Sequence, residues 1–117
     1  MNDRPQIAYK VLTAQQMAAL EADAGFAGAP VDLTDGYIHL STARQLTETV
    51  DKHFAGQDDL HVAAIDLSTL GDAVRWEESR GGQLFPHIYA ALPLSAVVAY
   101  GPLVRDEDGT VRLPVTG

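Results

Sequence analysis

Two histidines set in apolar, aromatic-bearing runs are the side chains of this chain best placed to do chemistry: His39 in "DGYIHLSTARQL" (35–46) and His87 in "LFPHIYAAL" (84–92). Imidazole exchanges protons near neutral pH, and a hydroxyl two residues on, at Ser41, gives His39 a group to orient or deprotonate. In an extended strand Tyr37, His39 and Ser41 share one face, and Ile38, Leu40 and Thr42 the other. The same alternation groups Phe85, His87 and Tyr89, with Pro86 breaking regularity on the opposite face. The competing role for either histidine is a core residue bonded to backbone. Ser41 and Thr42 also stand where a helix N-cap is expected, and capping is the expectation for Thr42. No G-x-S-x-G elbow surrounds Ser41, so a serine hydrolase is not expected.

A second dense cluster, "WEESRGGQLFPH" (76–87), joins an aromatic ring, two carboxylates, an arginine, two glycines and His87. Arg80 is suited to fork a phosphate or carboxylate, and Gly81 lets backbone approach a ligand closely. Otherwise this is a charged hairpin, in which Glu77 and Glu78 are solvated and Arg80 pairs with one of them. The four histidines lack the short spacing of metal ligands and have no cysteine partner, so no metal site is expected. His53 at a helix end and His61 at a strand start have structural roles, and Trp76 is a packing residue. No Walker loop or G-x-G-x-x-G is present.

The elements that position these groups follow from periodicity. "QIAYKVL" (6–12) predicts a strand, and Thr13 with Gln16 forms a capping box for a helix carrying Met17, Leu20 and Ala24, stopped at Gly25. "GFAGAPVDLTDG" predicts a loop. After the strand at His39, Thr42 and Gln45 suggest a second capping box, and Leu46, Val50 and Phe54 one apolar stripe. "LHVAAIDL" (60–67) is apolar almost throughout and predicts a buried, central strand. "STLGD" is a short helical turn or loop, "AVRWEES" a strand broken by "RGGQ", and "SAVVAYGPLV" another strand; Asp108-Gly109 marks a hairpin turn. Helices come early and strands dominate later, which predicts an α+β fold with a mixed or antiparallel sheet.

The length of 117 residues suits a single domain spanning 1–117, and 46% hydrophobic with 21% charged residues argues against disorder. A formal charge of -8 disfavours non-specific nucleic-acid binding. The absence of cysteine removes thiol catalysis and disulfides. With no signal-peptide core and no apolar window of membrane-spanning length, a cytoplasmic protein with no membrane partner is expected, as a monomer or weak homodimer.

Taken together, "DGYIHLST", the helix ending "HF", "LHVAAIDL", "WEESRGGQLFPHIYAAL" and the late "DGT" resemble the bacterial domain of unknown function 952 family over almost the whole chain. The resemblance implies an ADP-ribosyltransferase-like fold, with a split β core, peripheral helices and a cleft that holds NAD in true enzymes. It implies that His39, Ser41 and Thr42 lie near that cleft, with Arg80 and His87 in the other family motif. An active transferase of this kind carries an Arg or His on its first core strand and a later glutamate that stabilises oxocarbenium-like charge. Here the first strand offers Tyr9 and Lys10 instead, and Glu77 or Glu78 must supply the acid.

The resulting expectation is a cleft for NAD, ADP-ribose or a related phosphate-bearing nucleotide. His39, His87 and Glu78 form the catalytic set, and Tyr37, Ser41, Thr42, Arg80 and Gly81 the ligand-binding set. NAD is a candidate substrate, and no tightly held cofactor is implied. The alternative is a non-catalytic module for a small anionic ligand or a protein segment. Handling of an RNA 2'-phosphate ranks last, because it needs several basic contacts in an acidic chain.

Overall fold

The computed structural model describes residues 5–114. Among the described residues, eight strands form three antiparallel sheets, and three short α-helices pack around them. In the first sheet, β4 (Leu60–Asp66) lies between β1 (Ile7–Thr13) and β8 (Val97–Pro102). In the second, β6 (Leu84–Ile88) lies between β3 (Ile38–His39) and β5 (Val74–Glu78). A two-residue pair, β2 (Gly25–Phe26) with β7 (Leu92–Pro93), ties the end of the first helix to the C-terminal third.

β1 and β4 of the first sheet are buried on both faces, which explains their near-continuous apolar runs, whereas β8 at the other edge alternates with exposed residues. Ala8 and Leu12 of β1 and Ala63 and Ile65 of β4 face one core, with Met17 and Leu20 of α1 (Ala14–Asp23) and with Ile38, Leu40 and Ile88 from the second sheet. Tyr9, Val11, Val62 and Ala64 face another, closed by Leu46 and Val50 of α3 (Leu46–His53) and by Val111. "LHVAAIDL" is therefore central, as its composition predicts.

The Thr13 capping box forms in full: the Gln16 amide donates to the Thr13 hydroxyl at 3.1 Å and the Thr13 amide to the Gln16 side chain at 3.0 Å. The left-handed residue ending α1 is Ala24, one position before the expected Gly25. The stretch predicted as a loop instead contains β2 and a six-residue helix, α2 (Pro30–Asp35), ended by Gly36 at φ 88°. Proline at its first position suits the fixed φ of a helix start. What holds so short a helix is Asp32 at its third position, whose carboxylate accepts the Ala29 amide at 2.8 Å.

The second predicted capping box is half made. Gln45 accepts the Thr42 amide at 3.0 Å, but residues 43–45 are turn and the helix begins at Leu46, with Gln45 as its N-cap residue. Thr42 is thus not the helix cap. Ser41 is engaged elsewhere: its backbone exchanges two hydrogen bonds with Tyr9, at 2.7 and 2.9 Å. That bridge joins the second sheet to the edge of the first. Asp108-Gly109 does turn the chain between Arg105 and Val111, which pair across it.

Candidate functional site

Strand alternation and register bring the two histidines together. His39 and His87 are direct partners across β3 and β6, and Arg75 is the partner of His87 across β5. Alternation then sends Arg75, Glu77, Phe85, His87 and Tyr89 to one face, and Val74, Trp76, Pro86 and Ile88 toward the core. The histidine rings lie 5.4 Å apart, edge to face. Tyr37 stacks on His87 with centroids 4.1 Å apart and also meets His39 at 4.7 Å and Tyr89 at 5.1 Å.

Each imidazole has its own carboxylate. His39 places Nδ1 2.6 Å from Asp32 Oδ1, its backbone amide donates to the same oxygen at 3.1 Å, and Nε2 lies 2.9 Å from Asp35 Oδ2. His87 places Nδ1 2.8 Å from Glu77 Oε1, which also accepts the Tyr89 hydroxyl at 2.7 Å. Among the described residues, no hydrogen bond reaches Nε2 of His87.

Asp32 is a hub. Besides His39 and Ala29 it accepts from the Lys10 ammonium, at 2.9 Å on Oδ2 and 3.2 Å on Oδ1, and its side chain is 1% exposed. Burial alone would raise its carboxyl pKa, but the His39 hydrogen bond and the charge and hydrogen bond of Lys10 outweigh that and lower it to about 2. Burial draws Lys10 below its usual range, opposed by the Asp32 charge. The Tyr89 hydroxyl, followed by His87, lowers the carboxyl of Glu77 below its ordinary value. Burial, with the charges of Asp35 and Glu77, raises the Tyr37 phenol.

A cleft of about 510 Å³ opens beside this cluster, between the start of α2, β1 and α3. His39, His87, Lys10 and Ser41 line it with polar groups, and Pro30 and Phe85 supply apolar surface. Such a volume fits a small organic ligand. Ser41 is buried and its hydroxyl shares a 2.8 Å hydrogen bond with that of Thr49, another lining residue. His53, expected to be only structural, also lines the cleft.

Of the residues singled out from sequence, Tyr37, His39 and His87 therefore meet, Ser41 lines the same cleft as the histidines, and Tyr37 borders a smaller pocket of about 240 Å³. Thr42, Glu78 and Gly81 do not line the cleft. Glu78 alternates to the face opposite Glu77 at the exposed end of β5, so Glu77 is the glutamate beside His87. Gly81 takes a left-handed conformation, φ 62°, in the turn between β5 and β6. The backbone of Arg80 lies in that turn, and its side chain is outside the described residues.

Sequence reasoning missed Asp32 and Asp35 and left Lys10 without a role. The signal for Lys10 was its place between Ala8 and Leu12 on the core face of an apolar strand, where a charge needs a partner. Among the described residues no helix is long and apolar enough to cross a membrane.

The fold is thus a small α+β domain with antiparallel sheets, and its conspicuous feature is a carboxylate-backed histidine pair at a cleft. The chain belongs to the family described as "Protein of unknown function (DUF952)", whose model matches residues 11–100. It is similar to protein CC0527 from Caulobacter crescentus. The crystal structure of that protein superposes with a TM-score of 0.83 at 42% identity, covering 91% of this chain and 93% of that one. Its solution NMR structure gives 0.77 at 42% identity, covering 92% and 91%. No curated protein matches.

Proposed function

We propose that the cleft binds a nucleotide of the NAD or ADP-ribose kind, in an ADP-ribosyltransferase-like fold, and that the histidine pair acts at its ribosyl end. The observation that carries this is the pairing of His39 with His87 across β3 and β6, each oriented by a carboxylate, in the wall of a cleft of about 510 Å³.

Charge favours the ribosyl end over a free phosphate at the histidines. Three carboxylates, Asp32, Asp35 and Glu77, surround the rings, against Lys10 and Arg75, and Lys10 is already paired. That balance suits a cationic or oxocarbenium-like centre. It weighs against a module built for a small anion. Lys10 lies on the first core strand and in the cleft wall, and this reading gives it the role of the Arg or His that a transferase carries on that strand.

Titration with NAD and with ADP-ribose, following the histidine ring signals by NMR, tests this, together with an assay of the same samples for released nicotinamide. Joint movement of the His39 and His87 signals supports a nucleotide cleft, and nicotinamide release supports catalysis. If neither ring responds at millimolar ligand, the proposal fails.

A further inference from the structure

The two histidines are not equivalent, and the difference assigns them different work. Both ring nitrogens of His39 lie on carboxylates, Nδ1 on Asp32 and Nε2 on Asp35. A carboxylate only accepts, so both bonds are made together only when the ring carries both protons. His39 then has no lone pair to offer. His87 has one carboxylate, on Nδ1. Glu77 is held ionised by the Tyr89 hydroxyl and by His87 itself, so Nδ1 is the nitrogen that donates. In the neutral ring the lone pair therefore sits on Nε2, without a hydrogen bond among the described residues, on a side chain 5% exposed that lines the cleft.

We infer that Nε2 of His87 is the proton acceptor of this site and that Glu77, not Glu78, is its positioning residue. His39, held between Asp32 and Asp35 through both ring nitrogens, positions the site beside it. Resting on the ribosyl chemistry proposed above, the step is a displacement at the anomeric carbon. The oxygen of a water or acceptor hydroxyl forms a bond to the anomeric carbon as its proton passes to Nε2. The bond from that carbon to the leaving ring nitrogen breaks, its electron pair staying with the nitrogen and cancelling the ring's positive charge. The new imidazolium is then faced by the Glu77 carboxylate through Nδ1. Tyr37, stacked on the His87 ring, and Tyr89, bonded to the same Glu77 oxygen, restrict both partners to this geometry.

The test begins without any ligand. Nitrogen-15 spectra of the imidazoles at pH 8.5 should show His87 as the tautomer protonated on Nδ1. Glu77→Ala, which removes the acceptor of the Nδ1 proton, should move His87 toward the tautomer protonated on Nε2, whereas Glu78→Ala should leave it unchanged. In wild type, the Nε2-protonated form, or equal effects of the two substitutions, overturns the assignment. With NAD as probe, Glu77→Ala should lower the rate of nicotinamide release at saturation at least tenfold with KM within about twofold, and Glu78→Ala should lower neither. Loss of KM alone would make Glu77 a binding group and also overturns it. Absence of any nicotinamide release from wild type counts against the ribosyl reading, while the tautomer result still decides the roles of His87 and Glu77.

Discussion

Asp32 and Glu77 do the same local job, each accepting from the Nδ1 of a histidine, yet one is buried on the inner side of α2 and the other stands at the rim of the second sheet. Asp32 is tied to three segments at once: the start of α2 through Ala29, β1 through Lys10, and β3 through His39. Glu77 touches two neighbouring side chains, and its own is 38% exposed. A buried carboxylate shared among segments is part of the fold as well as of the site. A carboxylate at the rim tunes one ring and leaves the fold to others.

The sharpest way to break this contrast is Asp32→Ala. It strands the Lys10 ammonium in the core, so unfolding by urea should show a loss of about 3–5 kcal/mol, the range for removing one partner of a buried pair. Replacing both partners, Lys10→Met with Asp32→Leu, should recover most of that stability while the His39 ring loses its fixed orientation. A result in which the double variant is no more stable than Asp32→Ala would show that Lys10 is not the reason for the loss.

Acid should act through Asp32 next. Its pKa is depressed to about 2 in the folded protein, against about 3.9 unfolded. Its contribution is therefore complete above the unfolded value and is lost as pH falls toward 2, a difference of about 2.5 kcal/mol. Urea midpoints measured from pH 5 down to 2 should fall through this window, and the slope should flatten in the Lys10→Met, Asp32→Leu variant.

Gly28→Ala sharpens the comparison from the backbone side. Gly28 holds φ at 134°, and a Cβ there would come within 2.8 Å of the Asp32 Cβ. The substitution should cost at least about 1 kcal/mol by thermal unfolding, through strain and displacement of Asp32. The corresponding change at the rim, Glu77→Ala, should have the smallest effect on stability. Its unfolding midpoint should stay close to wild type although the His87 tautomer changes, and a large loss would make Glu77 as structural as Asp32.

This contrast also separates what the sequence makes legible from what it hides. Strand alternation in "YIHLS" and "FPHIY" is local, so the shared faces of Tyr37, His39 and Ser41, and of His87 and Tyr89, follow from a period of two. The same rule applied to "VRWEE" separates Glu77 from Glu78, because Trp76 marks the core face. Asp32 was hidden because its helix has no apolar periodicity: Val31 and Leu33 are both exposed, and a long-range ion pair holds the segment in place. The late start of α3 has a similar cause. Ser41 is committed to Tyr9 and Thr49, and the chain spends a turn on residues 43–45 before Leu46 reaches the second core.

The order in which the chain builds its sheets has a consequence for synthesis. The three strands of the histidine-bearing sheet have all been made by Ile88, whereas β8, the second neighbour of β4, begins only at Val97. Domains emerge N-terminal end first. A nascent chain therefore carries every described side chain of the cleft before it can complete the first sheet, whose last strand contributes no residue to the cleft.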